Sequence, residues 1–160
     1  LQGLDYGCGY HGHFVQRANQ IPGVRFRGCD LSVSADCPDL FSLHGQSLDT
    51  LSPRPDVITA HAVLEHLDDP RAAVEQFARL LPADGLLILT VPSIRAQPVL
   101  EFLAFRLGVI SRTEIEDHKR YYDRAGLEAL LAGLFLQIRH CYFQFGLNNR
   151  VEAFRAPAAA

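Results

Sequence analysis

With 160 residues, 48% of them hydrophobic and 21% charged, the chain has the length of one domain and too much apolar content to stay unfolded. Fifteen Lys and Arg against 18 Asp and Glu leave a formal charge of -3 with no dense basic run, which excludes electrostatic capture of nucleic acid as the default activity. No apolar run reaches the ~18 residues that mark a membrane span, and Cys8, Cys29, Cys37 and Cys141 form no C-x-x-C pair. We therefore expect a reduced, cytoplasmic protein with no integral membrane segment. The sequence holds no Met and opens inside an apolar stretch, so Leu1 is expected to be a truncated or disordered start and not a natural one.

In chain order, Leu1 to Tyr6 reads as a strand that runs into Gly7-Cys8-Gly9-Tyr10-His11-Gly12. From His13 to Gln20, Phe14, Val15 and Ala18 have helical spacing. Ile21-Pro22-Gly23 breaks that helix, and Val24 to Asp30 alternates as a second strand ending on an acid. Leu31 to Leu43 is rich in Ser, Asp and Pro, with a short third strand expected at Leu40 to Leu43. Asp56 to Ala60 is a strand, and Pro70 to Leu81 is a helix whose Val74, Phe77, Ala78 and Leu81 fall on one face. Gly85 to Val91 is an uninterrupted apolar run, the pattern of a parallel strand buried on both faces. Asp123 caps a helix through Leu127, Leu130, Leu131 and Leu134 that closes near Gly133. Leu136 to Phe143 and Val151 to Phe154, joined across Gly146-Leu147-Asn148-Asn149, read as a closing antiparallel hairpin.

Strands alternating with helices imply a doubly wound α/β sheet, a single domain over residues 1–160. Gly7 and Gly9 let the backbone turn tightly and approach a ligand, and Asp30 at a strand end suits a ribose diol. By itself, Gly7-x-Gly9-x-x-Gly12 is equally the fingerprint of a dinucleotide site, so the loop leaves a nicotinamide cofactor and other adenosine cofactors open.

The wider pattern resembles the class I S-adenosylmethionine-dependent methyltransferases, in particular the small-molecule (type 11 and type 23-like) group. The residues that carry the likeness are Leu4-Asp5-Tyr6-Gly7-Cys8-Gly9, Asp30-Leu31-Ser32, Val63-Leu64-Glu65-His66-Leu67, the run from Leu80 to Ser93, and His118-Lys119-Arg120-Tyr121-Tyr122. The resemblance implies a Rossmann-like, mostly parallel seven-stranded sheet with an antiparallel C-terminal hairpin. The helices that the family places ahead of the first strand are expected to be missing here. It also implies S-adenosyl-L-methionine as methyl donor, S-adenosyl-L-homocysteine as product, and a small-molecule acceptor.

Roles follow position by position from the resemblance. Asp5 would lie beneath the methionine portion and orient the loop, with Gly7, Cys8 and Gly9 surrounding it. Asp30 would accept the ribose hydroxyls and Leu31 would flank the adenine. Gln46, standing where the family usually has an acid, would accept from the adenine amino group through its amide oxygen. Ala60 and His61 would meet the methionine end. The cofactor half would span about 1–62, and an acceptor-side segment about 94–122 would include the apolar stretch Pro98 to Ile110, which reads either as ordinary core or, the favoured reading, as the roof of a pocket. The acceptor would then carry an aromatic or aliphatic portion.

For chemistry, His118 titrates near neutrality and is the candidate general base, with ordering of its loop as the plainer role. The Glu65-His66 pair reads as structural, fixing a helix after the fourth strand, in preference to a catalytic dyad. Cys8, His11, His13 and Cys29 have irregular ligand spacing, and Ala62 stands where some members carry an acid ahead of the Glu-His pair, so no metal site is expected. The expected function is methyl transfer by in-line displacement. The competing readings are an NAD(P)-dependent oxidoreductase and a non-catalytic cofactor-binding partner subunit.

Overall fold

The computed structural model describes residues 1–44 and 47–155, without the side chain of Glu114. Seven strands form one sheet in the order β3-β2-β1-β4-β5-β7-β6. They are β1 (Gln2–Tyr6), β2 (Arg25–Asp30), β3 (Leu40–Ser42), β4 (Val57–His61), β5 (Leu86–Pro92), β6 (Gln137–Phe143) and β7 (Asn148–Phe154). The first five are parallel neighbours, whereas β7 inserts antiparallel between β5 and β6. That arrangement departs from the two-halved dinucleotide fold, in which a sixth parallel strand follows the fifth.

Helix α1 (His13–Ala18) is two residues shorter than the periodicity predicts. Asn19 is its C-cap, with the backbone still helical and the side chain turned to β2: its Oδ1 accepts from the Phe26 amide at 2.6 Å and its Nδ2 donates to the Phe26 carbonyl at 3.0 Å. Helix α2 (Pro70–Leu80) starts as its sequence dictates. Pro70 takes the first turn, where a missing N–H costs nothing, and the Asp69 carboxylate accepts from the Ala72 amide at 2.9 Å. Helix α3 (Ala96–Glu101) continues as a π-helical turn over Phe102–Leu107, which Gly108 ends in the left-handed region. Helix α4 covers Arg112–Glu116. Helix α5 (Arg124–Leu131) is capped by Asp123, whose carboxylate accepts from Gly126 at 2.7 Å.

Apolar side chains collect on both faces of the sheet. One cluster joins Leu4, Ile58, Ala60, Leu87, Leu89 and Val151 of the strands to Val74 and Phe77 of α2 and Leu127 and Leu131 of α5. A smaller one holds Val15 and Ala18 of α1 against Phe26 and Leu40. Arg71, on α2, donates to the carbonyls of Leu130 and Ala132, which satisfies acceptors that the end of α5 leaves open.

The C-terminal turn differs from the sequence reading. It lies at Gln144–Gly146, and β7 already begins at Asn148. Asn149 is fully buried: its Nδ2 donates to the Tyr122 carbonyl at 3.0 Å and its Oδ1 lies 2.8 Å from His140 Nε2. These distant partners hold in a strand a residue type that sequence assigns to turns.

The apolar stretch after β5 is not core. Val99, Phe102, Leu107 and Val109 are all exposed, while Ala96 and Ala104 are the buried contacts of the segment.

Candidate functional site

The strand order reverses between β1 and β4, and in open α/β sheets the crevice outside the carboxyl ends of the strands at such a point collects ligands. A cavity of about 250 Å³ lies there, lined by Tyr6 at the end of β1 and Gly7 after it, Asp30 at the end of β2 and Leu31 after it, Leu43 after β3, and Ala62, Val63, His66 and Leu67 after β4.

Gly7 turns the chain out of β1 with φ 74, in the region that glycine occupies without strain. A Cβ there would come within 2.3 Å of Val63 Cγ2, so the glycine also lets the two loops close on each other. The Gly7 and Cys8 amides both donate to the Cys29 carbonyl, at 2.8 and 3.1 Å, which ties the loop to the end of β2. Asp30 completes the tie. One carboxylate oxygen accepts from the Gly9 amide at 2.8 Å and the other from the Leu31 amide at 2.7 Å. Each oxygen keeps a second acceptor site toward the cavity.

Asp5 sits beneath this loop and is 3% exposed. Its Oδ1 accepts from the Thr59 hydroxyl at 2.6 Å, joining β1 to β4. Burial raises its pKa from the ordinary value, and the Thr59 bond and His61 only partly offset that. Burial likewise pushes the Cys8 thiol up to about 12, so it is a neutral thiol at neutral pH. Ala60 is fully buried inside β4; His61 is half-buried at its end, with Nδ1 3.4 Å from the Thr90 hydroxyl and its ring edge-on to Phe14. Gln46 lies outside the described residues.

Of the residues singled out by sequence, Gly7, Asp30 and Leu31 line the cavity directly. Asp5 supports them from below, and Gly9 braces Asp30. The cavity also takes Tyr6, Leu43, Ala62, Val63, His66 and Leu67, which had been given no contact with a ligand. The signal for three of these, Val63, His66 and Leu67, was present in the Val63 to Leu67 motif. Its spacing alone did not reveal that Ala62 takes a left-handed φ of 54 and folds the motif back over Gly7.

His118 does not line this cavity. Its ring packs edge-on against His66, with centroids 4.9 Å apart, and its Nδ1 is 3.3 Å from the Tyr121 hydroxyl. The segment that carries it is fastened across the loop after β4. Asp117 Oδ2 lies 2.8 Å from His66 Nδ1, the Lys119 amide donates to the Glu65 carbonyl at 2.8 Å, and the Tyr122 hydroxyl donates to the Leu64 carbonyl at 3.2 Å. Arg120 adds bonds to the carbonyls of Leu67 and Asp68. His66 and Asp117 also form, with Thr113 and Glu116, the walls of a second opening beside the first. Glu65 is fully buried under this strap, and desolvation pushes its carboxyl up to about 7, against a smaller lowering by His66.

The residues present fit an adenosine-type cofactor. Asp30 offers open acceptor sites for a vicinal diol, the glycine loop leaves backbone room beside it, and Leu31, Leu43, Val63 and Leu67 give apolar walls for a base.

Residues 2–139 match the model of the methyltransferase domain family, and the chain belongs to that family. Fold and site together define a class I S-adenosylmethionine-dependent methyltransferase. A search of curated proteins finds no match.

Among solved structures, the chain is similar to the putative methyltransferase that Haloferax volcanii pairs with the Trm112 activator, at TM-score 0.70 and 14% identity over 97% of this chain and 82% of that one. It is also similar to an O-methyltransferase family protein from Burkholderia thailandensis, at TM-score 0.69 and 14% identity over 99% of this chain and 52% of that one. A third is the magnesium protoporphyrin IX methyltransferase of Synechocystis, solved with bound S-adenosylhomocysteine, at TM-score 0.60 and 18% identity over 96% of this chain and 74% of that one. The chain thus spans about half the length of some of its structural neighbours. Among the described residues, no helix is long and apolar enough to cross a membrane.

Proposed function

We propose that this chain transfers the methyl group of S-adenosyl-L-methionine to a small-molecule acceptor by in-line displacement. The observation that carries this reading is the Asp30 carboxylate, held at the cavity edge by two backbone amides with acceptor sites left over for a ribose diol. In this reading Leu31 flanks the adenine with Leu43, and Gln46 accepts from its amino group. Gly7, Cys8 and Gly9, supported by Asp5, border the methionine portion, which ends near Ala60 and His61.

The sulfonium supplies a methyl group that is already activated. The protein's task is then alignment of donor and acceptor, which is worth roughly 7–11 kcal/mol in favourable cases. As the bond from sulfur to methyl breaks and the bond to the acceptor forms, any proton on the acceptor atom passes to a nearby base or to water. His118 is the proposed base, reaching the acceptor from the wall it shares with His66. The acceptor enters through the 94–122 segment. The exposed Val99, Phe102 and Leu107 favour one with an aromatic or aliphatic portion.

Thermal unfolding with S-adenosyl-L-homocysteine, NAD and NADP tests the cofactor. A ligand at a hundred times its dissociation constant adds about 2.7 kcal/mol of stability. We expect a rise with adenosylhomocysteine alone, and a rise with only a nicotinamide cofactor overturns the reading.

A further inference from the structure

Glu65, His66 and His118 meet at the wall between the cavity and the 117–122 strap, and one ligand atom from each lies within 4.8 Å of the others. Glu65 is 0% exposed, and neither of its carboxylate oxygens has a hydrogen-bond partner among the described residues. Buried carboxylates in folded proteins are hydrogen-bonded, ion-paired or coordinated to a metal, because stripping water from the group is otherwise uncompensated. The atoms that face Glu65 in this cluster are imidazole nitrogens. His66 is held as metal-bound imidazoles are held. Its Nδ1 pairs with the Asp117 carboxylate at 2.8 Å, which fixes the ring plane. The Tyr121 hydroxyl, 3.3 Å from His118 Nδ1, bears on the second ring in the same way.

We propose that Glu65, His66 and His118 bind one divalent transition-metal ion of the zinc class, with Asp117 as the residue that positions His66. Two imidazoles and one carboxylate are a complete protein ligand set for an ion that keeps a position open for solvent or substrate. His66 also lines both the cofactor cavity and the neighbouring opening, so the open position lies between them. There the ion, with His118 as a ligand in place of a base, would polarise an acceptor oxygen and ease loss of its proton to water. That role rests on the methyl-transfer reading, whereas binding of the ion does not. The set uses the Glu65-His66 pair, where no metal was expected from sequence because Ala62 stands in place of an acid, and takes its third ligand, His118, from a segment far along the chain.

The test uses the whole chain stripped of metal by chelator and titrated with cobalt(II), whose visible absorption reports ligand number and type, and with zinc(II) in equilibrium dialysis. One equivalent of either ion is expected, with an intense cobalt spectrum of low coordination number. Glu65→Gln and His118→Ala should each abolish that spectrum, and Asp117→Asn should weaken affinity by about 10–100-fold while leaving the spectrum's shape. Asp68→Asn, which removes an exposed ion pair beside the strap, should change neither. Should Glu65→Gln fail to fold, His118→Ala decides, since that side chain is only partly buried. No saturable cobalt spectrum, or a spectrum that survives both ligand substitutions, overturns the proposal. Adenosylhomocysteine binding measured on the same samples separates the two claims: its failure strikes the cofactor reading, and loss of metal binding alone strikes only this one.

Discussion

Replacing Asp30 by alanine removes the carboxylate that joins the glycine loop to the end of β2 and, on the proposed reading, leaves the cavity without its diol acceptor. Both oxygens already accept a backbone amide, at 2.8 and 2.7 Å, so the carboxylate is oriented before any ligand arrives. Two charge-assisted bonds to ribose hydroxyls at about 1.5–3 kcal/mol each would amount to roughly 3–6 kcal/mol. At about 1.4 kcal/mol per decade this corresponds to ~10²–10⁴ in affinity. Water entering the vacated space returns part of that, so a loss of at least about tenfold is the expected floor. Asp30→Asn keeps one acceptor oxygen and should fall between the parent and Asp30→Ala. Isothermal calorimetry with adenosylhomocysteine reads the affinity, and urea unfolding checks that the fold survives. The released Gly9 and Leu31 amides lie at the solvated rim, so stability should drop by only about 1 kcal/mol. An Asp30→Ala protein that is folded and binds adenosylhomocysteine as tightly as the parent would refute the assignment of the ribose to this carboxylate.

Gly7→Ala should destabilise the chain by about 1–2 kcal/mol from the positive φ alone, with more from displacing Val63, and should weaken adenosylhomocysteine binding; an unchanged urea midpoint contradicts this. Leu127→Ala, in a fully buried site of the larger core cluster, should cost about 2–5 kcal/mol in urea unfolding, and a loss under about 1 kcal/mol would mean that α5 is not part of that core. For Asp5, the folded pKa is raised by burial, so the native state holds the proton more tightly than the unfolded chain does. Stability from this group is present below the ordinary value of 3.8 and declines as pH rises through the folded pKa. Asp5→Asn keeps an acceptor for Thr59 and should flatten the fall in urea midpoint above about pH 4 relative to the parent; parallel curves for the two proteins would show that Asp5 does not titrate as burial dictates.

Much of this protein is legible in its sequence because the signals are local. The apolar runs of β4 and β5, the one-faced periodicity of α2 and α5, and the caps at Asp69 and Asp123 each act within a few residues, and the strands and helices form where those signals put them. The glycine loop and the acid that ends β2 are local signals too, since tight turns and strand ends are set by neighbouring residues. Tertiary structure decided what depends on partners far away in the chain. Asn149 lies in β7 because Tyr122 and His140 satisfy its side chain there. After β5, Val99, Phe102, Leu107 and Val109 stay exposed while Leu100, Leu103 and Ile110 are half-buried, a division set by which side chains meet the rest of the fold and not by the apolar composition of the stretch. His66 became part of the cavity wall because Ala62 turns the motif back over Gly7 and the 117–122 strap holds it down. Glu65 and His118 stand 53 positions apart in sequence, and only the folded chain brings the carboxylate and the imidazole together. A pattern in sequence can record which residues are near one another along the chain, but the burial that leaves Glu65 without water is a property of the packed whole.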